Sequence, residues 1–227
     1  MKRRILCILM TFALALQVVP AQVSAKSKIK LNKTYITLQK NKTFTLKIKG
    51  TKKKIKWSSS KKKIASVTKK GKVTAKKSGT AYITAKIGKK KYRCKVSVKS
   101  STYIKKKLFS AYDWQCEDIW NDGFCNISHF IEDGTDASGN KMNIMSTIKR
   151  LNKAYKKRAS FNKFVSSVQG KKHSKFKAKW SNLDKQTVRL KNILDRNGAP
   201  QPKSNYYFPY QKYSDYLWDL LEIVNRL

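Results

Sequence analysis

The sequence predicts a multidomain chain, an all-β sandwich followed by an all-α helical bundle. Two observations carry this reading. Charge changes abruptly near residue 100: residues 26–100 hold 27 Lys+Arg and no acidic residue, whereas the rest of the chain from 101 holds 23 basic and all 12 acidic residues. The hydrophobic period changes at the same place, from two before the boundary to three and four after it. A boundary around Lys99–Tyr103 therefore divides a domain over 26–100 from one over 101–227.

The chain opens with a segment of another kind. Lys2, Arg3 and Arg4 precede an apolar run from Ile5 to Leu16, extended by Val18 and Val19 and broken at Pro20. Val23-Ser24-Ala25 then offers small residues. This is the order of a secretory signal peptide over residues 1–25, with cleavage between Ala25 and Lys26. An uncleaved anchor is the alternative, but the run is short for a span of about 20 residues. Cys7 lies too early in the run to be a lipid-modified cysteine. The expected location is secreted, extracellular or cell-wall associated, with no transmembrane span in the mature chain. Cleavage leaves Cys94, Cys116 and Cys125, and an odd number is not a disulfide framework.

Within 26–100, Phe44, Leu46 and Ile48 alternate with Thr45, Lys47 and Lys49. Ile55 and Trp57 flank Lys56. Ala81, Ile83 and Ala85 alternate with Tyr82 and Thr84, and Tyr92, Cys94, Val96 and Val98 with Arg93, Lys95 and Ser97. Each run buries one face and wets the other. Gly50, Gly71, Gly79 and Gly88 punctuate them as turns. Seven or eight short strands predict an antiparallel sandwich, with Cys94 as a small core residue.

Four spaced signatures in this region resemble a known family: Lys56-Trp57-Ser58-Ser59-Ser60, Ile64-Ala65-Ser66-Val67, Gly71-Lys72-Val73-Thr74-Ala75, and Gly79 to Ala85. With Leu31-Asn32-Lys33-Thr34 before them and Tyr92–Val98 after, residues 28–99 resemble the bacterial immunoglobulin-like domain, group 2. The resemblance implies an Ig-like sandwich of bacterial and phage surface proteins, serving as adhesive module or spacer, with no catalytic residues. The chain departs from the family in carrying no acidic residue there, which puts any carboxylate cation site in this domain in doubt.

Beyond residue 100 the stripes are helical. One runs through Leu108, Tyr112, Cys116, Ile119, Ile127 and Phe130, and a second through Ile144, Ile148, Leu151 and Tyr155, then Phe161, Val165 and Val168. A third holds Phe176, Trp180, Leu183, Thr187, Leu190 and Leu194, and is stopped by Gly198 and Pro200. The last is Tyr213, Leu217, Leu220, Val224 and Leu227. About four helices are expected, in a small antiparallel bundle.

The segment Asp113–Asp136 is the best place in the bundle to look for chemistry. It holds Asp113, Glu117, Asp118, Asp122, His129, Glu132, Asp133 and Asp136. The Glu-x-x-His order of di-iron bundles is absent, so a solvated acidic face is the simpler account. The loop Asp133–Asn140 fails as an EF-hand, since Ala137, Ser138 and Ile144 stand where ligands or glycine are needed. It reads as a turn that caps the following helix. Cys116 and Cys125 lie nine residues apart, about 13.5 Å along a helix axis. A disulfide tolerates a Cα separation of about 7 Å, so they could pair only if Asn121-Asp122-Gly123 breaks the helix. No catalytic residue, metal ligand or cofactor is assigned.

The lysine clusters are the remaining candidate. Lys52, Lys53 and Lys54, Lys61, Lys62 and Lys63, and Lys89, Lys90 and Lys91 fall in turns of the sandwich, with Lys69-Lys70 and Lys76-Lys77 beside them. They would meet an anionic polymer by long-range attraction, with solubility as the plainer role. Candidate partners are an anionic cell-wall polymer or a host or extracellular glycan. Specific nucleic acid is not expected, because few aromatics are free for base stacking. The expected function is that of an exported, non-enzymatic surface or extracellular protein, its Ig-like module serving adhesion, envelope docking or spacing and its helical domain binding something unspecified. The alternatives are a secreted enzyme acting on wall or host polymer through the helical domain, and a purely structural wall component.

Overall fold

The computed structural model describes residues 28–227. The predicted signal segment and its Ala25–Lys26 cleavage point lie outside the described residues. Nine strands come first: β1 (Lys30–Leu31), β2 (Tyr35–Gln39), β3 (Thr43–Thr45), β4 (Ile48–Lys49), β5 (Lys56–Ser59), β6 (Ala65–Val67), β7 (Lys72–Ala75), β8 (Gly79–Ile87) and β9 (Lys90–Lys99). They form a four-stranded sheet in the order β2-β9-β8-β5, a three-stranded sheet β3-β7-β6, and the small pair β1-β4. The alternating residues of β8 and β9 face inward as their period requires. Ala81, Ile83, Cys94, Val96 and Val98 meet Leu46, Ala65, Val73 and Ala75 in one core. Each fully buried Ile, Leu or Val there contributes about 1.5–3 kcal/mol of transfer free energy.

Two details differ from the expected pattern. The run Phe44–Ile48 is not one strand. The chain leaves the three-stranded sheet at Leu46, whose N–H bonds Gly71 O at 2.9 Å, and re-pairs as β4 with β1. The sandwich is also not wholly antiparallel. β2 pairs with β9 in parallel, Tyr35 beside Lys95 through Gln39 beside Lys99. Parallel neighbours need a long crossover, and the intervening strands β3 to β8 supply it.

β2 has a burial pattern no lone sandwich edge would have, with Ile36, Thr37 and Leu38 buried in succession. Ile36 and Leu38 belong to the sandwich core. Thr37 is covered by the helical part, where Val168 forms a parallel bridge to it and Gln169 N–H donates to Thr37 O at 3.0 Å. An edge strand that would otherwise offer free backbone groups is thereby closed. The covalent junction is equally short. β9 ends at Lys99, and Ser100 caps the next helix, its Oγ accepting Tyr103 N–H at 3.1 Å.

The helices are α1 (Ser101–Asp113), α2 (Asn126–Asp133), α3 (Ile144–Tyr155), α4 (Arg158–Ser167), α5 (Ser174–Asn197) and α6 (Gln211–Asn225). A π-helical segment, Trp114–Cys125, joins α1 to α2 without a break. The stripe over 144–168 is divided between α3 and α4 at Lys156-Lys157. Asn143 caps α3, its Oδ1 accepting Ser146 N–H at 3.0 Å, so the Asp133–Asn140 loop is not the cap. In the π segment the buried positions are Trp114 and Gln115, then Ile119, then Gly123 and Phe124. These steps of four and five suit i→i+5 hydrogen bonding. They turn Trp114 and Gln115 inward and leave Cys116, expected on the buried stripe, half-buried. No helix among the described residues is long and apolar enough to cross a membrane.

Candidate polyanion-binding cleft

The register of the sheets sorts the lysines. Lys56 pairs with Lys86, close to the β8–β9 hairpin that carries Lys89, Lys90 and Lys91. The segment leading into β5, with Lys52, Lys53 and Lys54, therefore lies at the hairpin end. The β6–β7 turn brings Lys69 and Lys70 to the same region. Gly71 makes this possible, because its φ is +80° and an added Cβ would stand 2.4 Å from Leu46 O and 3.0 Å from the Trp57 ring.

The result is a cleft of about 760 Å³. Six lysines line it: Lys47, Lys53, Lys54, Lys56, Lys69 and Lys70. Leu46, Ile48, Ile55 and the half-buried Trp57 supply apolar wall between them. No carboxylate lines it. Two ammonium groups about 4 Å apart repel by about 1 kcal/mol even at the dielectric of water, so an incoming anion relieves repulsion as well as gaining attraction.

Of the nine lysines expected to contact polyanion, only Lys53 and Lys54 line this cleft. Lys52 adjoins it in sequence, and Lys89, Lys90 and Lys91 share its end of the domain. Lys61, Lys62 and Lys63 do not. Ser60 N–H bonds Tyr82 O at 2.9 Å, five residues from the hairpin end of β8 at Ile87, or about 17 Å at strand rise. Lys47 and Lys56, unremarkable in the sequence as wet positions of strands, are functional candidates because they flank Ile48 and Trp57.

Three carboxylates of the acidic segment, Glu117, Asp118 and Asp136, are engaged in structure. Asp118 pairs with Lys157 at 2.7 Å, and Glu117 accepts from Asn121 Nδ2 at 2.9 Å. Asp136 Oδ1 accepts the N–H groups of Ser138 and Asn140, each at 2.9 Å, which closes the loop as a turn and holds its carboxyl below the usual range. His129, Glu132 and Asp133 offer ligand atoms within 4.8 Å of one another. They are the groups here that could hold a divalent ion, but all come from one helix end. Cys94, Cys116 and Cys125 are free thiols. Burial pushes the Cys94 thiol up to about 12 and raises the other two. The helix continues through Asn121-Asp122-Gly123, so the opening that a Cys116–Cys125 bond needs does not occur.

The bundle holds two polar assemblies that the stripes did not reveal. Asp184 accepts from Arg158 Nε and Nη2, at 2.7 and 2.8 Å, and from Asn162 Nδ2 at 3.0 Å, fastening α4 to α5. Tyr213 Oη lies 2.9 Å from the main-chain oxygen and 2.8 Å from the side-chain Oε1 of Gln115, and Thr187 Oγ1 donates to that Oε1 at 3.1 Å. All three residues of this second group are fully buried, and burial raises the Tyr213 phenol well above its ordinary value.

No curated protein matches the chain. Among solved structures, domains 4 and 5 of the S-layer protein SbsC share 24% identity over 32% of this chain and 51% of that one, with a TM-score of 0.27. An intimin mutant from EHEC O157:H7 shares 23% identity over 33% of this chain and 48% of that one, TM-score 0.29. A GH10 xylanase from termite gut containing a bacterial Ig-like domain shares 16% identity over 85% of this chain and 59% of that one, TM-score 0.27. The chain thus spans about half the length of these solved chains. Residues 18–96 match the family described as bacterial Ig-like domain (group 2), so the strand-rich region is a domain of that family and the helical region lies beyond the match.

Proposed function

We propose that this is an exported cell-surface or extracellular protein that docks on an anionic polymer through the lysine cleft of its Ig-like domain, and that it works by binding rather than catalysis. The observation that carries the reading is the convergence of six lysines from separate segments around Trp57, with no carboxylate in the cleft. Such a surface suits a repeating phosphate, sulfate or carboxylate polymer, the lysines meeting the charges and the apolar wall the backbone between them. The basic-then-apolar order of residues 2–19 and the family match support export to a place where such polymers occur. The helical part, joined through Ser100 and the covered β2 edge, is carried as one body with the docking domain.

The test is retention of the full chain on an immobilised anionic wall-polymer fraction. Retention is expected at about 50 mM salt and release at several hundred millimolar, since screening shortens the reach of exposed charges. Reversing Lys53, Lys54 and Lys69 to Glu is expected to weaken retention at least tenfold more than reversing Lys61, Lys62 and Lys63. Equal losses would mean that net charge, not the cleft, does the holding. Release of new polymer ends or free phosphate on incubation would favour the enzymatic alternative.

A further inference from the structure

A second basic concavity lies where the sandwich meets the helices. Its volume is about 520 Å³. Three lysines reach it from three segments: Lys33 from the β1–β2 turn, Lys163 from α4 and Lys177 from α5. Ser166 and Ser181 also line it; Ser166 Oγ donates its proton to Lys163 O at 3.3 Å, which leaves Ser181 as the hydroxyl donor. One carboxylate stands on its wall, that of Asp184, and it is taken up by the bidentate Arg158 and by Asn162. None of the three lysines belongs to an ion pair among the described residues. Lys163 Nζ instead sits 6.0 Å from the Tyr35 ring of β2, a contact across the domain junction.

This arrangement is costly without a ligand. Lys177 is half-buried, and its proton affinity is lowered first by burial and then by the charge of Lys33 on the other domain. Two like charges from different domains thus face each other across a groove with no free counter-charge. The groove is within the size range of small-molecule sites, and its donors are the kinds that hold phosphate-like groups, ammonium point charges supplemented by a hydroxyl.

We propose that the groove between the sandwich and the helices binds a single oxyanion group, phosphate or sulfate in chemistry, between Lys33, Lys163 and Lys177, and that the bound anion ties the two domains together. The site is separate from the distal cleft, and the inference does not depend on the proposed docking function.

Titration calorimetry of the full chain at physiological salt tests it, with inorganic phosphate in one arm and a short glycerol-phosphate oligomer in the other. One saturable equivalent at the junction is expected. Saturation by phosphate identifies a free small anion as ligand, and saturation by the oligomer alone identifies a phosphodiester group. In either case Lys177→Met and Lys33→Met are expected to weaken binding at least tenfold, while the Lys61→Met, Lys62→Met double variant, outside both basic concavities, stays within twofold. Thermal unfolding supplies a second readout. Lys177→Met should melt higher than the parent without anion, because a repulsion is gone, and should lose the upward shift that anion gives the parent. No saturable equivalent, or equal losses from the junction variants and the Lys61, Lys62 variant, overturns the proposal.

Discussion

The Thr37 and Ser167 hydroxyls lie 2.8 Å apart, both buried, one on the edge strand of the sandwich and the other at the end of α4. Ser167 Oγ also donates to Phe164 O at 2.7 Å. A serine hydroxyl has one proton, so Thr37 must be the donor across the junction. Thr37→Val is therefore expected to cost about 1–2 kcal/mol, and Ser167→Ala about 1–3 kcal/mol because it leaves the Thr37 O–H only the long contact to Tyr35 Oη at 3.5 Å. The double variant should cost less than the sum, with a coupling of about 1 kcal/mol. Denaturant unfolding of the full chain measures all four corners, and one shared transition is expected for strand and helix signals. Two separated transitions would sink the view that the domains form one cooperative unit.

Gly71 sets a sharper test of the distal cleft. Any Cβ there meets a main-chain oxygen at 2.4 Å in a left-handed conformation, and the obstacle cannot swing aside as a side chain would. Gly71→Ala is expected to destabilise the chain by about 3 kcal/mol or more and to shift the Trp57 emission. Gly88→Ala is the internal comparison. Its φ is +57° but nothing lies within 4 Å of the added methyl, so about 1–2 kcal/mol is expected. Similar losses at both sites would show that backbone conformation alone, not the packing of Trp57 against the turn, governs this region.

Inside the π segment, Gly123 faces Leu151 of α3, and a Cβ at 123 would lie 2.9 Å from Leu151 Cδ1. Replacing a helical glycine by alanine ordinarily gains about 1 kcal/mol. Here the overlap should reverse the sign and give a loss of about 1–3 kcal/mol. In a Leu151→Ala background the same change should recover its ordinary gain, because the space is open. A loss of equal size in both backgrounds would refute the steric account.

What could be read from the residues divides along physical lines. The alternation in Ala81–Ala85 and Tyr92–Val98 depends only on local period, and those strands are found as read, except that Ser97, expected to face water, is buried. The stripes of α5 and α6 are equally local. Leu46 is different: its place depends on Gly71 O, a partner 25 residues away, and no local period announces the switch between sheets. The π segment misled for a related reason. A 3.6-residue period through Leu108, Tyr112 and Cys116 predicts Cys116 inside, whereas the wider turn puts Trp114 and Gln115 there. The lysine clusters were visible as composition, but their grouping was not. Strand register brings Lys53 and Lys54 together with Lys69 and Lys70, and register sets Lys61, Lys62 and Lys63 far apart from them.

His173 ties stability to pH. It is 3% exposed, its Nδ1 has no hydrogen-bond partner among the described residues, and burial followed by the charges of Lys172 and Lys177 brings its pKa down to about 4 from 6.5. The folded chain then keeps the imidazole neutral where the unfolded chain protonates it. Between pH 6.5 and 4 the unfolded state binds more protons, so stability falls as pH falls through this window and is unaffected by this group above it. The full displacement is worth about 3 kcal/mol. His173→Leu removes the titrating group and should flatten the stability profile between pH 6.5 and 4, while leaving the loss below pH 4 that carboxylate protonation brings, to which Asp136 with its lowered value contributes. Equilibrium unfolding at half-unit pH steps compares the two chains, and an NMR titration of the His173 ring gives the midpoint directly. A ring that titrates near 6.5, or a variant profile parallel to the parent's, would mean that His173 is solvated in the folded chain and that the pH dependence has another source.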